Sequence, residues 1–265
     1  MTSRTRNLIV KKVNLISPNM KRITFTGDDL SDFPKDYESG YIKIRLPKSQ
    51  KLLNPDSAKK VFESRSYTIR FFRQGDLELD IDFLLHGDSG PASKWANSAQ
   101  IGEIISVAGP GPVKLASESA DWFLFVGDMT ALPAISVNLE RLPEDARGLA
   151  ILEINSEEDK LKLKKPENLK IQWILNPDST KGCAKLIESF RNTKWEGEKP
   201  FAWVAGEFEL MRCAKKILKN EKKLPNESIY FSSYWKIGEE DKGMKKAKAS
   251  FFLKELIKDK LNPFR

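Results

Sequence analysis

Cysteine and histidine are scarce in this chain of 265 residues, which holds two of the first and one of the second. Cys183 and Cys213 lie far apart on helix-like segments. That leaves neither a disulfide framework nor the clustered thiolates an iron–sulfur centre needs. His86 has no ligand cluster around it in the sequence, so a built-in transition-metal site is not expected. At a strand-to-turn bend it reads first as a packed, hydrogen-bonded residue. No stretch reaches the ~20 apolar residues that span a bilayer. The start, Met1 to Arg6, enters a strand-like segment without a signal-peptide core. A cytoplasmic monomer without membrane insertion is therefore expected. The glycine-rich GxGxxG dinucleotide fingerprint is missing as well. An excess of one charge is modest: 45 basic and 37 acidic residues, intermixed, give a net +8 without any nucleic-acid motif. Most of these lysines read as a solvated face rather than a nucleic-acid surface, with a subset available to an acidic ligand.

What is present begins with Arg65-Ser66-Tyr67-Thr68-Ile69-Arg70. An arginine fork suits a pyrophosphate, and a tyrosine offers a ring face and a hydroxyl to an isoalloxazine or ribityl chain. Next comes the period-2 run Leu77–Phe83, then a turn through His86 and Gly90 into a helix that starts at Pro91 and ends before Gly102. Such a helix start turns free N–H groups toward a diphosphate, and Ser93 adds a hydroxyl. The alternating pattern makes Asp80 and Asp82 solvent-facing or turn-fixing.

The rhythm changes near residue 115. Before it, strands are expected at Leu8–Val13, Arg22–Thr26, Tyr41–Leu46, Arg65–Phe72, Leu77–Leu85 and Glu103–Val107, with a polar insertion over Lys48–Lys60. These predict a six-stranded antiparallel barrel over residues 1–118. After it, strands at 122–126, 149–154, 170–175, 201–204 and 228–232 alternate with helices at 132–142, 183–191, 209–220 and 245–261. That alternation predicts a parallel α/β domain over 119–265. Gly127, at the end of its first strand, stands where such folds bind phosphates.

Taken in order, Arg65–Arg70, Asp82–Ala96, Gly127–Ile135, Ala205-Gly206-Glu207 and Tyr234–Gly238 resemble the siderophore-interacting proteins, FAD-dependent ferric-siderophore reductases of the ferredoxin-reductase superfamily. Met129 stands where that family commonly has Glu. Lys236 stands where it commonly has Arg, which keeps the charge but loses the bidentate fork. The resemblance implies an FAD-binding barrel and a domain that binds NADH or NADPH. FAD contacts are expected from Arg65, Ser66, Tyr67, Thr68, Asp82, His86, Gly90, Ala92, Ser93 and Trp95. Dinucleotide contacts are expected from Asp128, Thr130, Ala131, Glu153, Gly206 and Glu207. Lys43, Lys114 and Lys236 are expected to converge on a ferric siderophore or other ferric chelate.

The stretch from Glu153 to Asp159 carries four acids and no arginine. At the ribose end of a dinucleotide site this disfavours a 2′-phosphate, so NADH is the expected donor. Two other readings stay open on the same scaffold: a ferredoxin, flavodoxin or oxygenase reductase, and a non-enzymatic module that binds flavin or an iron chelate.

Overall fold

The computed structural model describes residues 4–47, 62–86, 90–239, 243, 246–251 and 253. The expected polar insertion at Lys48–Lys60 lies outside the described residues. So does most of the C-terminal helix expected over 245–261, of which 246–251 are helical.

Six strands, β1 (Thr5–Ser17), β2 (Met20–Thr26), β3 (Tyr41–Pro47), β4 (Phe62–Arg73), β5 (Glu78–Leu84) and β6 (Ile104–Gly111), close in the order β1-β2-β5-β4-β3-β6. Every neighbouring pair is antiparallel. The period-2 sequence drives closure, because Leu8, Phe25, Ile44, Ile69, Ile81 and Phe83 all point into one core. A closed barrel also leaves no strand edge exposed. Helix α1 (Pro91–Ser98) plugs the barrel with Ala92 and Ala96, and Trp95 stacks on Phe25. The helix stops short of Gly102, which instead closes the next turn in the left-handed region, its N–H on the Val10 carbonyl at 2.8 Å.

Asp80 and Asp82 are not solvent-facing. Both point outward from β5, yet arginines from the adjacent strands cover them and leave 4% and 5% of each exposed. Arg73 grips Asp80 through both terminal nitrogens at 2.8 and 2.7 Å, and Arg22 grips Asp82 at 2.6 and 2.8 Å. Paired in this way, a carboxylate tolerates burial.

The second half contains β7 (Trp122–Gly127), α2 (Leu132–Arg141), β8 (Gly148–Ile154), β9 (Leu169–Leu175), α3 (Ala184–Arg191), β10 (Pro200–Glu207), α4 (Phe208–Lys215) and β11 (Ile229–Trp235). Its five strands are parallel in the order β11-β10-β7-β8-β9. The unbroken apolar run of β7 fits its central place, since apolar clusters cover both faces of the sheet. The strand order reverses between β7 and β10, and ligands of open α/β sheets bind outside the carboxyl ends of strands at such a point.

The two halves are fastened together by specific contacts. Arg70 of β4 bonds Glu140 of α2 at 2.9 Å, and Met20 of β2 is buried in the same apolar cluster as Phe123 and Leu132. Asp159, fully buried, accepts hydrogen bonds from Ser17 Oγ at 2.6 Å, Asn19 N at 3.0 Å and Asn19 Nδ2 at 2.7 Å. The Lys114 carbonyl accepts from Ser39 Oγ at 2.9 Å, Trp203 Nε1 at 3.0 Å and Asn138 Nδ2 at 3.2 Å. These contacts set the width of the cleft between barrel and sheet.

Candidate functional site

A cleft of about 500 Å³ runs between the barrel wall and the face of the parallel sheet. From β4 it is lined by Arg65, Ser66, Tyr67 and Thr68, and from the end of the β5 hairpin by Asp82 and His86. Strand pairing explains the grouping: Lys43 on β3 sits opposite Ser66, and Tyr41 opposite Thr68. Tyr67 packs on Phe83 with ring centroids 4.4 Å apart, and burial pushes its hydroxyl well above the usual phenol range. It therefore stays neutral and serves as a hydrogen-bonding group rather than an acid. Arg65 is held on its own strand by Glu63 Oε2 at 3.1 Å and the Ser64 carbonyl at 3.2 Å. Tyr41 packs against Gly111, where a Cβ would come within 2.2 Å of the ring, so a larger residue there would have to displace that wall.

Helix α1 adjoins the cleft through His86. Its hydrogen-bond ladder begins with Lys94 N–H on the Gly90 carbonyl at 2.9 Å. The N–H groups of Ala92 and Ser93 precede that ladder at the positive end of the helix. Ser93 Oγ accepts from His86 N at 3.1 Å, which fixes the turn to the helix start. Gly90, Ala92 and Ser93 themselves are not among the residues lining the cleft, Ala92 and Ser93 being buried; what the cleft itself offers a flavin is a planar-ring wall and an arginine, with the helix start behind His86. Trp95 is not among the residues lining the cleft: it stacks on Phe25 and donates to Glu103 at 2.7 Å.

On the sheet side, Thr130 reaches the cleft beside Met129, and the alternating Tyr230, Ser232 and Tyr234 of β11 face it. The period-2 spacing of Tyr230, Ser232 and Tyr234 is the sequence signal for this face of β11. Tyr41 and Lys248 also line the cleft and were not picked out. Tyr41 could have been found from its position two residues before Lys43 on one strand.

Behind the cleft, the carboxyl end of the sheet is tied by Asp128. It accepts hydrogen bonds from Thr130 N and Glu207 N, each at 2.9 Å, from Trp235 Nε1 at 2.8 Å and from Thr130 Oγ1. Burial still pushes the Asp128 carboxyl upward. Gly206, in the left-handed region at φ 147°, passes so close that a Cβ would lie 2.5 Å from Asp128 Oδ2. Glu207 accepts from Glu209 N and, at 3.2 Å, from Ile237 N. Thus Asp128, Thr130, Gly206 and Glu207 come together at the strand reversal, with Ala131 buried next to them.

Glu153 is 3% exposed and does not open to the cleft. Of the acids expected to meet a ribose, Asp159 is turned toward the barrel, leaving Glu157 and Glu158 on an exposed turn. Of the three lysines expected to converge, Lys43 and Lys114 line the cleft, and the Lys114 ammonium lies 5.8 Å from the Tyr230 ring centre. Lys236 does not join them. It pairs with Glu239 at 3.3 Å and lies over Phe208, because the chain turns back after β11.

An antiparallel barrel packed on a parallel sheet, with a flavin-sized cleft between them, defines a two-domain flavin-binding protein of ferredoxin-reductase type. Ferredoxin–NADP+ reductase from Plasmodium falciparum shares this fold at a TM-score of 0.62 and 15% identity, over 87% of this chain and 96% of that one. The more particular match is to two family models, a siderophore-interacting FAD-binding domain over residues 9–114 and a siderophore-interacting protein domain over 120–238. The chain belongs to the siderophore-interacting protein family. Ferric vibriobactin reductase ViuB of Vibrio cholerae is 35% identical over 239 residues, 85% of this chain and 87% of that protein. The siderophore-interacting protein SipS of Aeromonas hydrophila has a TM-score of 0.82 at 35% identity, covering 94% of this chain and 98% of that one.

Proposed function

We propose that this protein is a ferric-siderophore reductase in which FAD passes electrons from a nicotinamide dinucleotide to an iron(III) chelate. The observation that carries the reading is the single cleft uniting Arg65, Tyr67 and Thr68 with Lys43 and Lys114. When bound, FAD accepts a hydride and releases electrons singly, so it links a two-electron donor to a one-electron acceptor. The remaining work is done by the chain. Arg65, with the start of α1 behind His86, would hold the diphosphate, and Ser66, Tyr67 and Thr68 would orient the ring system. Thr130, Gly206 and Glu207 shape the edge where the nicotinamide docks. Lys43 and Lys114 draw an anionic ferric chelate into the open side of the cleft. Oxygen donors hold Fe(II) more weakly than Fe(III), so reduction releases the metal.

Visible spectra test the reading. The purified protein, loaded with FAD, is expected to bleach on anaerobic addition of NADH and to regain its oxidised spectrum on addition of a ferric chelate. Reoxidation by ferredoxin or flavodoxin but not by the chelate would assign it to the protein-acceptor reductases. Flavin binding without bleaching would make it a sequestering module.

Two further expectations concern the ligands. NADH is expected to reduce the flavin roughly threefold faster than NADPH, because a 2′-phosphate would meet the exposed Glu157 and Glu158, and exposed charge pairs are worth ~0.2–1 kcal/mol. Initial flavin-reduction rates with the two donors decide it, and an NADPH advantage refutes the assignment of that turn to the ribose. Lys43→Ala and Lys114→Ala are each expected to raise the apparent KM for an anionic ferric chelate roughly two- to fivefold. The effect should shrink at high salt, since exposed charges are screened over ~8 Å at physiological ionic strength. Reduction by NADH should be nearly unchanged in both variants. Equal losses in the two half-reactions would move these lysines to cofactor binding.

A further inference from the structure

We propose that Glu153 is a positioning residue for dinucleotide binding: while protonated it leaves Asp128 holding Thr130, Glu207 and Trp235, and when it ionises that edge loosens and the dinucleotide binds more weakly. The inference rests on reading the carboxyl end of the sheet as the dinucleotide site.

Glu153 lies near the end of β8, beside the strand reversal, and its buried Oε2 has no hydrogen-bond partner among the described residues. The charged groups that bear on it are both acidic, Asp128 from β7 and Glu207 from β10. The remaining titratable neighbour is the Cys183 thiol ahead of α3, which burial and then these same carboxylates push upward, so it stays protonated. Asn176, beyond β9, is the neighbour that favours Glu153 as an anion, and its amide also donates to the Gly182 carbonyl at 2.9 Å. Burial pushes the Asp128 carboxyl upward too, but the four donors it faces oppose that, so of the two carboxyls Asp128 is the better site for a negative charge. The proton belongs on Glu153, which lacks such donors. Burial, then the charges of Asp128 and Glu207, push its carboxyl from the usual 4.5 up to about 7.

The sign of the linkage follows. A raised folded-state value means that the protonated group's contribution to stability is complete below about pH 4.5 and is lost as pH rises through about 7. Above neutrality Glu153 adds a third buried carboxylate to Asp128 and Glu207, beside the Asp128 hydrogen bonds that fix Thr130, Trp235 and the turn at Glu207. A dinucleotide brings further negative charge to this edge, so its binding and protonation of Glu153 favour each other reciprocally.

The test uses the FAD-loaded full chain and NAD+, which cannot reduce the flavin. Calorimetry in the wild type is expected to show Kd rising roughly 5- to 10-fold from pH 6 to pH 8, with buffer-dependent heat that reports proton uptake. Glu153→Gln should keep the low-pH affinity at both values. The Trp235 indole N–H resonance gives a second readout, independent of any ligand: it should titrate with a midpoint near pH 7 in the wild type and stay flat in Glu153→Gln. A pH dependence of NAD+ binding that persists in Glu153→Gln overturns the proposal. So does an indole signal that does not move in the wild type, a result that stands even if the variant fails to fold. An intact indole titration without NAD+ binding at any pH overturns the dinucleotide reading, and the claim about affinity with it.

Discussion

Asp159→Ala is expected to lower folding stability by about 3–5 kcal/mol, because it strands one buried and three part-buried donors at once and each costs ~1–3 kcal/mol when left unmade. The donors are Ser17 Oγ and both nitrogens of Asn19 on the barrel side, with Ser156 N at 3.1 Å on the sheet side. Because this carboxylate bridges the halves, the loss should appear as weaker coupling between them. Urea titration followed by tryptophan fluorescence should show the transition broaden or split, and FAD should dissociate earlier than in the wild type. Asp159→Asn keeps one acceptor oxygen and is expected to cost less than the alanine variant. A loss below ~1 kcal/mol with a single unbroken transition would mean that the remaining ties, Arg70–Glu140, the Lys114 carbonyl network and the apolar contacts around Met20, carry the interface.

Arg65→Ala is expected to weaken FAD binding roughly 10- to 100-fold, the scale of a lost charge-assisted hydrogen-bond pair at ~1.5–3 kcal/mol. In the structure this guanidinium is half-buried and held by Glu63, so it is positioned before any ligand arrives. Arg65→Lys should recover only part of the loss, since the ammonium keeps the charge without the planar fork. Flavin content after gel filtration, with Kd from fluorescence quenching, measures the effect, and near-UV circular dichroism reports whether the sheet half remains folded. Full retention of FAD by the alanine variant would remove Arg65 from the site.

The cleft residues grouped by local geometry were legible in the sequence. Arg65, Tyr67 and Thr68 share one strand, so their proximity needed only the correct assignment of that strand, and the Gly90–Pro91 start placed α1 within a residue. Both layers of the fold were legible for the same reason. Period-2 alternation and unbroken apolar runs are local signals of a half-buried barrel strand and a fully buried parallel strand. Lys236 shows where this ends. It follows β11 directly, but its ammonium is directed by a turn that brings Glu239 and Phe208 to it, and sequence spacing carries no record of that turn.

Acidic residues divided in the same way. Glu153, Asp159, Asp80 and Asp82 look alike as sequence, four carboxylates near strand ends or on alternating faces. Tertiary structure alone decided that arginines on adjacent strands cover Asp80 and Asp82, that Asp159 reaches across to Ser17 and Asn19, and that Glu153 is buried beside two other acids. The chain by itself determined its elements, its two-layer class and the strand that lines the cleft with Arg65, Tyr67 and Thr68, because these depend on neighbours within a few residues. The fate of each charge, the convergence of Lys43 with Lys114 and the ties across the cleft depend on partners far away in the chain, and only the folded arrangement brings those partners within hydrogen-bonding distance.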